Sequence, residues 1–371
     1  MSTLPNNHLN TIEACRYCPM CRQSCPSEFI SYRESDAPRG RAIIMQSVYR
    51  SGEEFNASRI EAIYNCFVCG SCKSWCAGAE IGHYDIPELM KFARRDIVEK
   101  NMAPEIVVSM KNSLMANENQ YNIDRSQSFT KGVNEEKANI LYYLGPEVNF
   151  RNQEIAGAVI KILKHLKSSF TLLKDEPESG KILDLLGYRK EAKEKAGKLF
   201  LKIKASGCKV VVVSDPLAYD AFKTDYPEWG FTFEPEIKIL HVSEFLAENI
   251  KSGALKLSKT SQKITLADSE FLGRFNNVFE APREVIKASA GSLFEELKWN
   301  REKLLCTGES AFTFNDGIFT QGQMLGEKIA ILINDCKAKT VITLSATAKQ
   351  NISKATDAMV LDIAEFTAQH I

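Results

Sequence analysis

The sequence predicts an α/β chain overall, with a small all-helical domain in front and two pseudo-repeated α/β modules behind it. Three observations predict this. Eight of the eleven cysteines fall in two short frames within residues 15–76, and the segments between and after those frames carry apolar residues at helical spacing. Beyond residue 139, short aliphatic runs alternate with helical patterns, the order expected of a parallel sheet covered by helices. That order then recurs.

Length and composition agree. At 371 residues the chain exceeds one ordinary core, and 44% apolar with 25% charged residues is ordinary for a soluble globular protein. Lys+Arg and Asp+Glu each number 47, so no concentrated basic surface is expected, which argues against nucleic acid or an anionic membrane as the main partner. The start, MSTLPNNHLNTIEAC, is polar, and no apolar run approaches the ~18 residues needed to span a bilayer. The expectation is a cytoplasmic protein that meets a membrane only through a partner.

Taken in order, the first frame is Cys15-x2-Cys18-x2-Cys21-x3-Cys25, followed by Pro26. A helix is expected after Ala37-Pro38-Arg39-Gly40-Arg41 (37–50), and another over 59–66 leading into the second frame. That frame, Cys66-x2-Cys69-x2-Cys72-x3-Cys76, repeats the spacing but is followed by Ala77 rather than proline. Over 85–100, Leu89, Phe92, Ala93 and Ile97 recur at helical spacing with Pro87 in the first turn. Residues 1–105 thus form the helical domain, and the polar stretch 106–138 reads as a linker with short helices. The first module, 139–255, opens with a strand at 139–146 and a helix at 152–167. An amphipathic lysine-rich helix at 188–204, its charges solvated, and the buried strand 207–216 follow. The second module, 256–371, has strands at 263–268 and 339–345 around helices near 281–289 and 317–336.

The chemistry sits in the frames. Three thiolates two residues apart wrap one face of a cubane, and the fourth, three residues on, serves the other cluster. The spacing therefore predicts two 4Fe-4S clusters, one held by Cys15, Cys18, Cys21 and Cys76 and the other by Cys66, Cys69, Cys72 and Cys25. Structural zinc is the competing reading, but it needs only four ligands, usually two C-x2-C pairs with or without histidine. The proline missing after Cys76 donates no ligand, so its loss leaves ligation intact. Ser71, Lys73, Ser74 and nearby backbone N–H groups are candidate donors to cluster sulfurs, with a solvated surface lysine as the plainer reading of Lys73.

The order frame, PRGR, helix, frame, helix resembles the iron–sulfur subunits of glycolate oxidase and D-lactate dehydrogenase complexes. It is similar also to the D-type subunit of heterodisulfide reductase and to the iron–sulfur subunit of anaerobic glycerol-3-phosphate dehydrogenase. The resemblance implies a helical ferredoxin-type domain with two 4Fe-4S clusters, followed by two cysteine-rich "CCG" modules. Placed on this chain, the first module's cysteine positions fall near Leu144–Pro146, at Glu178-Ser179-Gly180 and at Asp215-Pro216-Leu217-Ala218-Tyr219. In the second they fall at Asp268-Ser269-Glu270-Phe271-Leu272-Gly273-Arg274, at Cys306-Thr307-Gly308 and at Ser345-Ala346-Thr347-Ala348, with Ala281-Pro282-Arg283-Glu284 supporting the register. Of ten positions only Cys306 keeps its cysteine, so the modules read as degenerate and Cys306 as a leftover thiol in a docking scaffold. Asp215, Asp268 and Glu270 are carboxylates suited to a hard metal if they converge, and Cys208 and Cys336, beside buried strands, read as inert core residues.

What the resemblance implies for function is an electron-transfer subunit with no catalytic residues of its own. It would relay single electrons between the flavin of an FAD-linked dehydrogenase, such as one oxidising a 2-hydroxy acid, and a second carrier. That carrier would be an electron-transfer flavoprotein, a ferredoxin or a membrane quinone-reducing subunit. The alternative is a catalytic heterodisulfide- or quinone-reducing subunit, whose chemistry would need the missing CCG cysteines. A cluster-based oxygen sensor is a third reading, without any output domain such as a basic helix-turn-helix to support it.

Overall fold

The computed structural model describes residues 4–82, 84–310 and 317–371. Its N-terminal region is helical, with longer helices α1 (Asn6–Cys15), α2 (Pro38–Tyr49), α3 (Ala57–Tyr64), α4 (Ile86–Glu99) and α5 (Glu105–Asn117). Local chemistry sets their starts. Asn56 accepts from the Arg59 N–H and Asp85 from the Glu88 N–H, each satisfying a donor that the first helical turn leaves free. Pro38 and Pro87 stand where a missing N–H costs nothing. Gly40 is required by close approach, since a Cβ there would lie 1.9 Å from the Glu34 carbonyl oxygen.

One face of α4 buries Leu89, Met90, Ala93 and Ile97, as the helical spacing predicts, while Phe92 packs half-buried against Tyr49 and His8. The same helix carries Arg94 into the interior. Its guanidinium donates to the carbonyls of Ile63 and Tyr64 at 3.3 and 3.1 Å, to that of Cys66, and to that of Leu185 at 2.6 Å. One buried side chain therefore ties α3, the second cysteine frame and the following layer together.

Next comes a four-stranded sheet of β1 (Ile140–Tyr143), β2 (Phe170–Thr171), β3 (Val210–Val213) and β4 (Lys238–His241), in the order β2-β1-β3-β4 and parallel throughout. Between and after its strands run α6 (Gln153–His165), α7 (Lys181–Leu186), α8 (Arg189–Ser206) and α9 (Val242–Lys251). A second sheet, β5 (Ile264–Leu266), β6 (Thr340–Thr343) and β7 (Met359–Asp362), is again parallel and in sequence order. Its helices are α10 (Glu280–Ala290), α11 (Gly317–Cys336), α12 (Ala346–Ser353) and α13 (Ile363–His370).

The central strands are buried on both faces, which is why they read as unbroken aliphatic runs. Helices from the two layers meet in pairs, α6 on α13 and α9 on α10. The helix after the first strand of one layer thus packs on the helix after the last strand of the other. Strands β2, β4 and β7 are absent from the sequence expectation. The first is two residues long, and the other two run straight into helices, where His241 with Glu244 and Asp362 with Glu365 form capping boxes. Among the described residues no helix is long and apolar enough to cross a membrane.

Candidate metal centre

The first frame begins where α1 ends, at Cys15, and closes at Cys25, whose neighbour Pro26 opens the short helix Pro26–Ser31. The second begins after α3 and turns at Gly70, whose φ of 74° suits glycine and whose Cβ would meet the Phe275 ring at 3.1 Å. Cys72 lies in the helical turn Ser71–Ser74, with Cys76 just beyond it. None of the eight is in a disulfide; Cys25, Cys66 and Cys69 are buried and Cys18 is exposed.

The fold brings the frames against each other. Burial pushes the Cys15 thiol up to about 12, and the neighbouring Cys76 and Cys18 push it in the same direction. The Cys21 thiol also rises to about 12, through burial and then Cys15, Cys25 and Cys76. Burial raises Cys72 strongly, with Cys21, Cys66, Cys69 and Cys25 adding to it, and Cys25 rises through burial with Cys66 and Cys69 adding to it. The last cysteine of each frame thus lies among the first three of the other, and Cys21 and Cys72 feel both groups.

Thiols that hold one another protonated make a site short of positive charge, and metal binding would release those protons. Among the described residues, no three His, Cys, Asp or Glu side chains converge closely enough for a single ion. A four-iron cube takes one thiolate per iron and so spaces its ligands more widely. Eight thiols without histidine suit the softness of iron–sulfur clusters.

Two arginines to which the sequence reading gives no role at the thiols stand behind them. Arg41, the last residue of the PRGR stretch and 1% exposed, donates to the Ala62 carbonyl at 2.9 Å and lies 3.8 Å from the Cys25 sulfur. Arg94 holds the Cys66 carbonyl. Arg41 belongs to the PRGR stretch, whereas a basic residue within a helical apolar pattern is the only mark Arg94 leaves in the sequence. Of the expected donors, Ser71 directs its hydroxyl to the Ser24 carbonyl at 3.0 Å. Half-exposed Lys73 pairs with Asp85 at 2.8 Å.

The second α/β layer covers the second frame. Arg274 donates to the Cys69 carbonyl at 2.9 Å, Ser310 to that of Phe67 and Lys303 to that of Ser74. Cys306, expected as a leftover thiol in a docking scaffold, lies against the second frame, packed in one cluster with Phe67, Cys69 and Leu325. The neighbouring Cys306 draws the Cys69 thiol down despite its burial, while burial, Cys69 and Glu270 push Cys306 up. Sequence separation hid this contact, since nothing local joins residues 69 and 306.

Around Cys306 stand buried carboxylates, of which Glu270 holds a position assigned to a missing cysteine. Glu270 accepts from the Thr307 N–H, the Gly308 N–H at 3.0 Å and the Thr307 hydroxyl at 2.6 Å. Glu309 accepts from Ser269 and from the Phe271 N–H, and burial beside Glu270 pushes its carboxyl well up. Asp268 is locked onto Arg283 at 2.7 and 2.9 Å and does not converge with the others on a metal.

The first layer shows the same pattern. Glu176 accepts from the Leu144 and Gly145 N–H groups at 2.9 and 2.8 Å, Glu178 from Gly180 at 2.8 Å and Asp215 from Leu217 at 3.0 Å. Glu147, Asp215 and Glu309 line a cavity of about 20 Å³ between the layers, at the C-terminal ends of β1 and β3. Cys208 and Cys336 are buried, 3% and 6% exposed, inside the cores.

The fold is α/β, and the eight gathered thiols are a soft donor set of the kind that iron–sulfur clusters take. No protein-family model matches the chain. It is similar to "Probable iron-sulfur-binding oxidoreductase FadF" of Bacillus subtilis, 36% identical over 45% of this chain and 24% of that protein. It is 27% identical to the D-type subunit of the dihydromethanophenazine:CoB--CoM heterodisulfide reductase of Methanosarcina acetivorans, over 81% of this chain and 78% of that one. A third relative, "EtfAB:quinone oxidoreductase" of Syntrophomonas wolfei, is 27% identical over 63% of this chain and 34% of its own length. The chain therefore spans about a quarter of FadF and about a third of the quinone oxidoreductase. Its relatives are oxidoreductases and oxidoreductase subunits.

Proposed function

We propose that this protein is an electron-transfer subunit that relays single electrons through two 4Fe-4S clusters. Cys15, Cys18, Cys21 and Cys76 hold one, and Cys66, Cys69, Cys72 and Cys25 the other. The observation that supports this best is the interleaving of the frames, with Cys76 beside Cys15 and Cys25 beside Cys66 and Cys69. Each cluster supplies one-electron chemistry, so two of them divide the electron pair of a flavin. In this reading residues 1–105 form a ferredoxin-type domain, with 106–138 the connection to the first module. The pieces 139–255 and 256–371 are repeated CCG-like modules without clusters, a view supported by the reciprocal packing of α6 on α13 and α9 on α10.

The modules serve as a docking scaffold, the carboxylates having taken over backbone N–H groups near the lost ligands. The partners would be an FAD-linked dehydrogenase on one side and, on the other, an electron-transfer flavoprotein, a ferredoxin or a quinone-reducing membrane subunit. The names of the quinone oxidoreductase and heterodisulfide reductase relatives fit such partners. Contact with a membrane would come through that partner, the protein itself lying in the cytoplasm. A catalytic heterodisulfide- or quinone-reducing role would require thiols at positions now held by Glu270 and Thr307.

The test is anaerobic purification with iron and sulfide analysis and EPR of the reduced protein. About eight irons per chain and two interacting one-electron signals are expected. Twelve or more irons would refute empty modules, and four or fewer would refute the pair of clusters.

A further inference from the structure

The two frames share one spacing and differ in exposure. Between the first cysteines of the second frame, Phe67 and Val68 are 2% and 3% exposed. The second α/β layer caps that turn through Arg274 and Ser310. The matching residues of the first frame face solvent. Tyr17 is 72% exposed and Met20 60%, and Cys18 and Pro19 between them are exposed as well. Among the described residues, the one large apolar side chain more exposed than Tyr17 is Tyr32, at 73%. It belongs to the same face. The guanidinium of Arg22, next to Cys21, pairs with Glu28 at 2.8 Å and Glu34 at 3.4 Å, which flank Tyr32 in the chain. Tyr32 also ends the short helix Pro26–Ser31 with a φ of 54°, in the left-handed region where glycine or asparagine sits at less cost. An exposed tyrosine there returns little to the fold, and a contact outside the chain accounts for it.

We propose that Tyr17, Met20 and Tyr32 form the centre of a docking face for a flavoprotein subunit, and that the cluster of Cys15, Cys18, Cys21 and Cys76 exchanges electrons with its flavin. This rests on the two-cluster reading above. Electron exchange between proteins falls steeply with distance, so it favours the cluster under the thinner cover. Tyrosine and methionine are enriched where proteins meet. Charge then selects the kind of partner. Arg16 pairs with Glu13 at 2.5 Å, Arg33 with Glu61 at 2.7 Å and Asp36 at 2.9 Å, and Arg39 with Glu34 at 2.7 Å. The arginines around the patch are thus neutralised within the chain, and little positive charge is left to hold a strongly acidic carrier. The face fits a partner whose surface over the flavin is apolar and uncharged. One electron passes at a time: a reduced flavin loses one electron and releases its proton to water as the cluster gains that electron.

The experiment purifies the tagged chain anaerobically from its own cells and measures iron and bound flavin per chain. Wild type is expected to carry about eight irons and to keep its flavin at about 0.5 M salt, where exposed ion pairs are screened. Tyr17→Asp is expected to keep its iron and lose flavin about tenfold or more. Tyr32→Asn lies outside the frame and suits the left-handed backbone, so it should lose flavin while unfolding no more easily than wild type. Leu201→Asp, on exposed α8, should keep both iron and flavin. Bound flavin, once photoreduced, should reduce the cluster left in Cys69→Ala faster than the one left in Cys76→Ala. Undiminished flavin in Tyr32→Asn would overturn the proposal, as would equal loss in Leu201→Asp, loss of wild-type flavin in salt, or the reverse order of cluster reduction. Wild type with two clusters and no flavin at any salt overturns the partner alone. Wild type without two clusters fails the underlying reading itself, visible before any variant is compared, and sinks both.

Discussion

The cysteine-bearing helical region and the α/β layers solve the same problem with opposite chemistry. In both, acidic side chains crowd into places that water does not reach. In the helical region they are thiols, and burial first and then their thiol neighbours push Cys15 and Cys21 up to about 12. In the layers they are carboxylates, several of which accept from backbone N–H groups at a strand end or turn, while Asp220 and Asp225 pair with Lys181. Glu176 takes Leu144 and Gly145, Glu178 takes Gly180 and Ile182, and Glu270 takes Thr307 and Gly308. The second arrangement is complete without a metal, whereas the first lacks positive charge. A buried acid bonded to its own backbone is part of the fold; buried thiols facing one another are suited to a metal that displaces their protons.

Removing single thiols tests that contrast most severely. Crossed ligation expects Cys25→Ala and Cys69→Ala to lose the same cluster and Cys76→Ala to lose the other, each lowering iron from about eight to about four per chain. Should Cys25→Ala remove the cluster that Cys18→Ala removes, the frames are not crossed and the grouping fails. A smaller effect is expected at the join between the regions. Arg94→Met leaves the carbonyls of Ile63, Tyr64, Cys66 and Leu185 without their buried donor. Relief of the buried charge offsets part of that loss, so about 2–4 kcal/mol of stability should disappear in urea unfolding. A variant as stable as wild type would mean that the regions are held together by apolar packing alone.

Much of this was legible in the sequence, for reasons that particular residues show. The frames are local, and repeated spacing carries their chemistry. Helix α4 announced itself through Pro87 and its apolar face, and β3 through four consecutive valines. What escaped depends on contacts between distant segments. Cys306 reaches Cys69 across more than two hundred residues, and Arg274 holds the same turn from another loop. Strand β4, KILH, has no periodicity of its own and becomes a strand by pairing with β3 in register, Val210 opposite Lys238. Local pattern reports what a segment prefers, and pairing decides what it joins.

The carboxylate half of the contrast can be tested through pH. Burial raises the Glu176 carboxyl to about 8, its bonds to Leu144 and Gly145 opposing the rise, and burial raises Asp215 and Glu147 to about 7. In the unfolded chain these groups titrate near 4. Between about pH 4.5 and 8 the folded state therefore binds more protons than the unfolded state, and stability must fall as pH rises through that window. Below it both states are protonated and the dependence vanishes. Each group contributes at most about 1.4 kcal/mol per pH unit, and the donors on Glu176 keep its share smaller. Thiols bound to clusters carry no protons in this range, so in the loaded protein the slope belongs to the layers. Glu176→Gln keeps an oxygen for the Leu144 and Gly145 N–H groups but cannot ionise, and its urea midpoints between pH 5.5 and 8 should change less than those of wild type. If wild-type stability rises across that window, or the variant keeps the full slope, these carboxylates are ionised at neutral pH. The layers would then share with the thiol frames a deficit of positive charge.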